Sequence, residues 1–118
     1  MKKILNLEEA KNLAKNLNLW QIKRLNASKM AYTQVEDLKQ LLAVKGINLA
    51  KNLLSGYNSV TNLKSLIWLN LSHNQIKIMT SFSPLVNLET LNLGYNSIKR
   101  ISGVNGLKNL KALILNDN

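Results

Sequence analysis

The chain has 118 residues, 46% of them apolar, which suits one domain with a buried core and argues against a disordered segment. With no cysteine and one histidine, His73, it excludes a disulfide framework, a thiolate zinc site, a cysteine nucleophile and a multi-histidine metal site within one chain. Sixteen Lys and Arg against six Asp and Glu leave a net charge of +10, a balance that favours acidic partners or simply serves solubility.

Lys2 and Lys3 open the chain in the manner of a secretion signal, but Asn6, Glu8 and Glu9 interrupt the apolar run that a signal needs. The same stretch predicts a helix. Asn6 is placed to cap it, and Glu9, three residues on, completes a capping box. Leu7, Ala10, Leu13, Ala14 and Leu17 share one face at helical spacing, with Lys11 and Lys15 off its centre. Such a helix lies on a membrane surface or covers the open end of a core, and the segment that follows favours the cover. Trp20 is expected beneath this helix, where it joins the next segment. No apolar run approaches the roughly 18 residues of a membrane span. Absent cysteines and the rejected signal place the protein inside the cell, in cytoplasm or nucleus.

From Ile22 onward the chain repeats every 22 residues. Ile22, Val44, Leu66, Leu88 and Leu110 form one column; Leu25, Ile47, Leu69, Leu91 and Leu113 form the next; Ala27, Leu49, Leu71, Leu93 and Leu115 a third. Four more columns begin at Tyr32, Val35, Leu38 and Leu41. Over four complete repeats the seven columns hold 28 positions, all apolar, where composition alone would put about 13. Alternation around the second and third columns predicts short strands with one face buried, laid side by side about 4.8 Å apart as a parallel sheet. After each strand stands an asparagine, Asn52, Asn74, Asn96 or Asn118, whose amide both donates and accepts and so can satisfy backbone groups left open by the turn. Met30 fills that slot in the first repeat and breaks the ladder.

The return halves carry Gly56, Pro84, Gly103 and Gly106, which predict 3-10 turns and loops, with a helical turn or two over Thr33–Leu42 in the first. The triplets Asn26-Ala27-Ser28 and Asn70-Leu71-Ser72, which look like glycosylation acceptors, are by-products of the repeat. At the far end the chain stops at a ladder position, leaving Leu110, Leu113 and Leu115 as an uncapped edge, and so reads as a piece of a longer repeat array.

The blocks LIWLNLSHN, LETLNLGYN and LKALILNDN match L-x-x-L-x-L-x-x-N, and the chain resembles the leucine-rich-repeat proteins on these residues. Its repeat length is similar to that of the short intracellular class, which includes the protein phosphatase 1 regulatory leucine-rich-repeat protein, the outer-arm dynein light chain and the spliceosomal A′ protein. The resemblance covers residues 22–118, four complete repeats and a truncated fifth, and residues 1–21 fit the N-terminal cap. It implies a right-handed α/β solenoid with a concave parallel sheet of about five strands, a capping helix, and 3-10 turns and loops on the convex side.

The outward strand residues would line the concave face. Arg24, Gly46, Trp68, Thr90 and Ala112 form one outward column, Asn26, Asn48, Asn70, Asn92 and Ile114 another, and Lys29, Lys51, His73, Tyr95 and Asp117 a third. The candidate partner-binding residues are Trp68, His73, Tyr95, Asn70, Asn92, Lys51, Lys29 and Arg24. Trp, Tyr and Arg are enriched in binding hot spots, and Trp68, His73 and Tyr95, on neighbouring strands, predict one aromatic patch flanked by Arg24, Lys29, Lys45 and Lys51. The competing reading of Trp68 is simple stacking on adjacent concave side chains. The asparagine stripe reads as side chains pairing with one another across the sheet.

No catalytic residue, metal ligand or cofactor is expected. His73 has no acid placed to orient it, the glycines occur singly, and the six carboxylates form no cluster. The expected function is a monomeric protein-interaction module, a scaffold or regulatory subunit. The resemblance implies a phosphatase or a subunit of a cytoskeletal or nuclear complex as partner, although this concave face pairs aromatics with bases where the phosphatase regulator pairs them with acids. The alternative is a nucleic-acid or ribonucleoprotein factor, which the charge supports and the scattered lysines and only two arginines oppose.

Overall fold

The structure, a computed structural model, describes residues 2–118. Five three-residue strands build its central sheet: β2 (Arg24–Asn26), β4 (Gly46–Asn48), β5 (Trp68–Asn70), β6 (Thr90–Asn92) and β7 (Ala112–Ile114). They pair in parallel and in chain order, with Leu25, Ile47, Leu69, Leu91 and Leu113 in register. Each strand is followed by a return path and the next strand, so the chain is a solenoid advancing one strand per 22-residue repeat. The seven apolar columns are its core. All 28 positions are buried except Ile101, which is 61% exposed, and the half-buried Val104, both in the fourth repeat. Tyr57 and Phe82, on successive return paths, stack with ring centroids 4.3 Å apart and planes 13° from parallel. The Tyr57 hydroxyl donates to the Thr80 carbonyl at 2.9 Å and accepts from the Thr80 N–H at 2.7 Å, which satisfies the one polar group that this stack buries.

The asparagine ladder forms as the spacing requires. Asn74 Nδ2 donates to the Leu49 and Leu71 carbonyls, both at 3.0 Å, and its Oδ1 accepts from the Leu54 N–H at 3.0 Å. Asn96 and Asn118 repeat this arrangement one turn further on each time. Asn52 is the most buried member, 5% exposed, and its Oδ1 accepts from both Met30 and Tyr32 N–H, which ties the repeat without a ladder asparagine to the next one. Immediately before each slot the chain takes a left-handed residue: Lys29, Lys51, His73, Tyr95 and Asp117 all have φ between 55° and 59°. Five bulky or charged residues in that region, one per repeat, mark a backbone demand of the fold.

The N-terminal segment caps the first turn by a route that periodicity alone did not foresee. β1 (Ile4–Leu5) pairs in parallel with β3 (Gln34–Val35), so the stretch expected to turn helically over Thr33–Leu42 holds a short strand instead. Its backbone is drawn out by Ile4 and Leu5: the Thr33 N–H donates to the Lys3 carbonyl and the Glu36 N–H to the Leu5 carbonyl. The helix, α1 (Leu7–Leu13), is capped by Asn6, whose Oδ1 accepts from the Glu9 N–H at 2.9 Å. The other half of the expected capping box is replaced. The Glu9 carboxylate accepts from the Tyr32 hydroxyl at 3.3 Å and so ties the cap to the first repeat. Ala10 is buried in the core, with Leu7, Leu13 and Ala14 packed against it.

The helix stops earlier than its apolar stripe. Lys15 and Asn16 both take positive φ, 58° and 63°, and Leu17 is left exposed. Trp20, expected beneath the helix, is 65% exposed. Leu19–Gln21 forms a 3-10 turn in which Gln21 N–H donates to the Asn18 carbonyl. Leu19 and Ile22, three apart, take the inward positions, and Trp20 between them points out. On the return paths the expected 3-10 geometry occurs at Val60–Asn62, and hydrogen-bonded turns such as Leu85 N–H to the Phe82 carbonyl serve elsewhere.

Two predictions follow from these bonds. Asn74→Leu leaves the Leu54 N–H without its partner inside the coil and removes one of the two ladder donors from each of the Leu49 and Leu71 carbonyls, which keep Asn52 and Asn96 respectively. Stability is expected to fall by about 3 kcal/mol in urea unfolding, and a loss below about 1 kcal/mol would show the ladder to be dispensable. The second concerns alkaline pH. Burial, then the neighbouring Glu9 charge and its hydrogen bond, push the Tyr32 phenol up to about 12, against 10.0 for a free tyrosine. Between those values the unfolded chain loses a proton that the folded chain keeps, so this contribution is complete below pH 10 and declines as pH rises toward 12. Unfolding midpoints measured from pH 9 to 12 are expected to drop in the wild type and to drop less in Tyr32→Phe.

Candidate binding face

The concave surface is built from the outward residues of the five strands, so strand register decides which side chains meet. Arg24, Gly46, Trp68 and Thr90 are aligned across β2, β4, β5 and β6 at the entry end of each strand. A β-carbon added to Gly46 would lie 2.0 Å from Cε2 and Nε1 of Trp68. The indole therefore lies across the neighbouring strand, over the one residue of its column with no side chain. The ring is partly covered, since Trp68 is of intermediate exposure. The sequence carried a signal for this seat, a glycine 22 residues before a tryptophan in the same column, and the columnwise reading passed over it.

The middle of each strand carries the asparagine stripe, and here the cross-sheet pairing expected from the sequence is replaced by local bonds. Asn26, Asn48, Asn70 and Asn92 each turn Oδ1 toward the backbone N–H two residues on, in Ser28, Ala50, Ser72 and Gly94, at 3.2, 3.0, 3.0 and 2.9 Å. This is the turn-forming habit of asparagine. It holds the chain as it leaves the strand for the left-handed residue.

The left-handed residues line the exit end. His73 and Tyr95, successive members of that column, stack with centroids 4.2 Å apart and planes 9° from parallel. Tyr95 is 49% exposed, and His73 is exposed beside it. Lys51 and Lys29 continue the column toward the N-terminus, exposed and without an ion pair among the described residues; so does Arg24 at the entry end. The single aromatic patch expected from the sequence is divided. His73 and Tyr95 are joined, while Trp68 stands five residues before His73 at the opposite end of the strand, with no aromatic contact among the described residues. Asn70 and Asn92 lie between the two anchors. Among the described residues no group of three or more His, Asp or Glu assembles as a metal site, and no helix is long and apolar enough to cross a membrane.

No family model and no curated protein matches the chain. Among solved structures it is similar to internalin C2 of Listeria monocytogenes, at 21% identity and a TM-score of 0.69, over 92% of this chain and 57% of that one. It is also similar to the internalin InlF of the same organism, at 19% identity and a TM-score of 0.51, over 98% of this chain and 52% of that one. The chain thus spans a little over half the length of each. With the register and ladder above, the likeness establishes the fold as a leucine-rich-repeat solenoid.

The seat of Trp68 is directly testable. Gly46→Ala places a methyl group inside the present position of the indole and must displace it. In a Trp20→Phe background, where one indole remains, the emission maximum is expected to shift to the red and stability to fall by about 1–3 kcal/mol. An unchanged spectrum would mean that the ring does not rest on Gly46.

Proposed function

We propose that this chain is a non-enzymatic protein-interaction module, a scaffold or regulatory subunit that acts as a monomer inside the cell and receives a protein partner on its concave sheet. Residues 1–21 are its cap and residues 22–118 its binding array. The observation that carries the reading is the stacked, exposed His73–Tyr95 pair on a face whose central side chains in the first four strands are asparagines. Trp68 at the opposite end supplies a second anchor. Asn70 and Asn92 lie between, and Arg24, Lys29 and Lys51 supply charge on the N-terminal side. Aromatic anchors in a polar surround are the usual carriers of interface energy. Five strands span about 19 Å along the axis, and a partner footprint of roughly 800 Å² per side would extend past them over the loops at both ends of the strands. The intracellular placement rests on the cysteine-free chain.

The test is affinity capture from nuclease-treated lysate with the wild type beside Trp68→Ala and Tyr95→Ala, each first shown to melt as the wild type does. At least one protein is expected to bind the wild type and to bind one or both variants at least tenfold more weakly. Retention of every protein partner by both variants would remove the concave face from the reading. Partners that disappear from all samples on nuclease treatment would replace the protein partner with nucleic acid.

A further inference from the structure

The local bonds of the asparagine stripe fix more than the turn. Because Oδ1 of Asn26, Asn48, Asn70 and Asn92 is committed to a backbone N–H, each Nδ2 must face away from that bond, toward the open concave side. None of the four Nδ2 groups has a protein acceptor among the described residues, and the four side chains are exposed or half-exposed. The floor of the face is therefore a row of four amide donors at strand spacing, about 4.8 Å apart and about 14 Å from first to last. About four extended residues cover that length.

The two rims have a matching polarity. At the exit end the column runs Lys29, Lys51, His73, Tyr95, Asp117, and Asp117 already accepts from Asn116 Nδ2. At the entry end Lys23, Arg24 and Lys45 stand over the first two repeats, and Glu89, paired with Lys111 at 3.4 Å, stands over the fourth. Both rims are basic over the first two repeats; further on, the exit rim ends on Asp117 and the entry rim ends on the Glu89–Lys111 ion pair. We infer that the concave floor is a donor surface selecting an acidic, acceptor-rich segment of the partner protein, with the acidic end of that segment over the first two repeats. A nucleic acid fits less well, because over the later repeats its uniform charge would meet Asp117 and, among the described rim residues, no unpaired lysine or arginine. This inference rests on the concave-face reading and deepens it by naming the chemistry of the ligand.

Asn→Asp is the discriminating change. It keeps the oxygen that accepts the turn N–H and replaces the outward donor with an acceptor, so the fold is preserved while the floor is inverted. Asn48→Asp/Asn70→Asp is compared with Asn87→Asp/Asn105→Asp, which alters net charge equally at exposed return-side positions free of side-chain hydrogen bonds among the described residues. The probe is fluorescently labelled octaglutamate, with octaglutamine as its neutral counterpart, titrated by anisotropy near physiological salt. The wild type is expected to bind octaglutamate at least tenfold more tightly than octaglutamine. The concave variant should lose at least tenfold, and the return-side variant less than twofold. Equal losses in the two variants would assign the binding to long-range charge and overturn the donor row. No loss in the concave variant, no binding of octaglutamate by the wild type, or tighter binding of an oligothymidylate of equal charge would each overturn it as well. Trp68→Ala in the same titration separates the two claims. If it loses the peptide while Asn48→Asp/Asn70→Asp keeps it, the concave face stands and the donor row falls.

Discussion

Every repeat of this solenoid must leave its strand, turn sharply and start back behind the sheet, and the amide of a ladder asparagine, its own or, for the first repeat, Asn52 of the next, satisfies the backbone of that turn. The turn points backbone carbonyls and an N–H into a coil otherwise filled by Leu, Ile and Phe, where an unmatched polar group is costly. Each ladder asparagine meets this demand on two repeats at once. Asn74 donates to Leu49 in the repeat before it and Leu71 in its own, and accepts from Leu54 on the preceding return path. The ladder therefore couples neighbours as well as completing turns. Such coupling is what a solenoid needs, since its units contact only those beside them.

The same turn governs what the surface can present. A residue held at φ near 57° one place before the ladder is fixed by its backbone, and its side chain projects outside the coil. The five repeats fill this position with Lys, Lys, His, Tyr and Asp, so the fold constrains the conformation and leaves the chemistry free. The stacking of His73 on Tyr95 is a product of that arrangement: identical backbone geometry in successive turns sets two flat rings parallel at 4.2 Å. The central asparagines are under a different constraint, for they hold the approach to the left-handed residue through Oδ1. That structural duty and the outward donor belong to the same amide, which explains how a residue needed for the fold also shapes the floor of the face.

What could be read from the sequence follows from which positions are repeated. The seven inward columns and the ladder recur at fixed spacing, which makes the break at Met30 visible, because each turn must bury a similar volume beside the last; the structure matches the strand register and buries every column position of the first three repeats. The cap is not repeated. Two-residue strands such as Ile4–Leu5 and Gln34–Val35 have no period to detect, and only their pairing explains them. Trp20 joins the helix to the first strand, but Leu19 and Ile22 take the inward positions on either side of it, which leaves the indole exposed. On the concave face, periodicity named the columns but not the contacts within them. The seat of Trp68 depends on Gly46 having no side chain, and the separation of Trp68 from His73 depends on position along the strand, which neighbouring-strand logic ignored.

The cap and the first repeat are closely joined. At the N-terminal end three different ties converge on Tyr32: the Asn52 amide on its N–H, the Glu9 carboxylate on its hydroxyl, and Lys3 over its ring at 5.2 Å. At the other end Ile101 is exposed, and Leu110, Leu113 and Leu115 are only partly covered. The basic rims lie over the tightly tied repeats and the aromatic stack over the repeats that follow. A face whose backbone is fixed before any partner arrives loses little freedom on binding, so more of each contact's energy remains as affinity. Over the first two repeats those ties lie beside the exposed Arg24, Lys29 and Lys51 and the amides of Asn26 and Asn48, so charge and hydrogen-bonding groups there are carried on a backbone held from both sides.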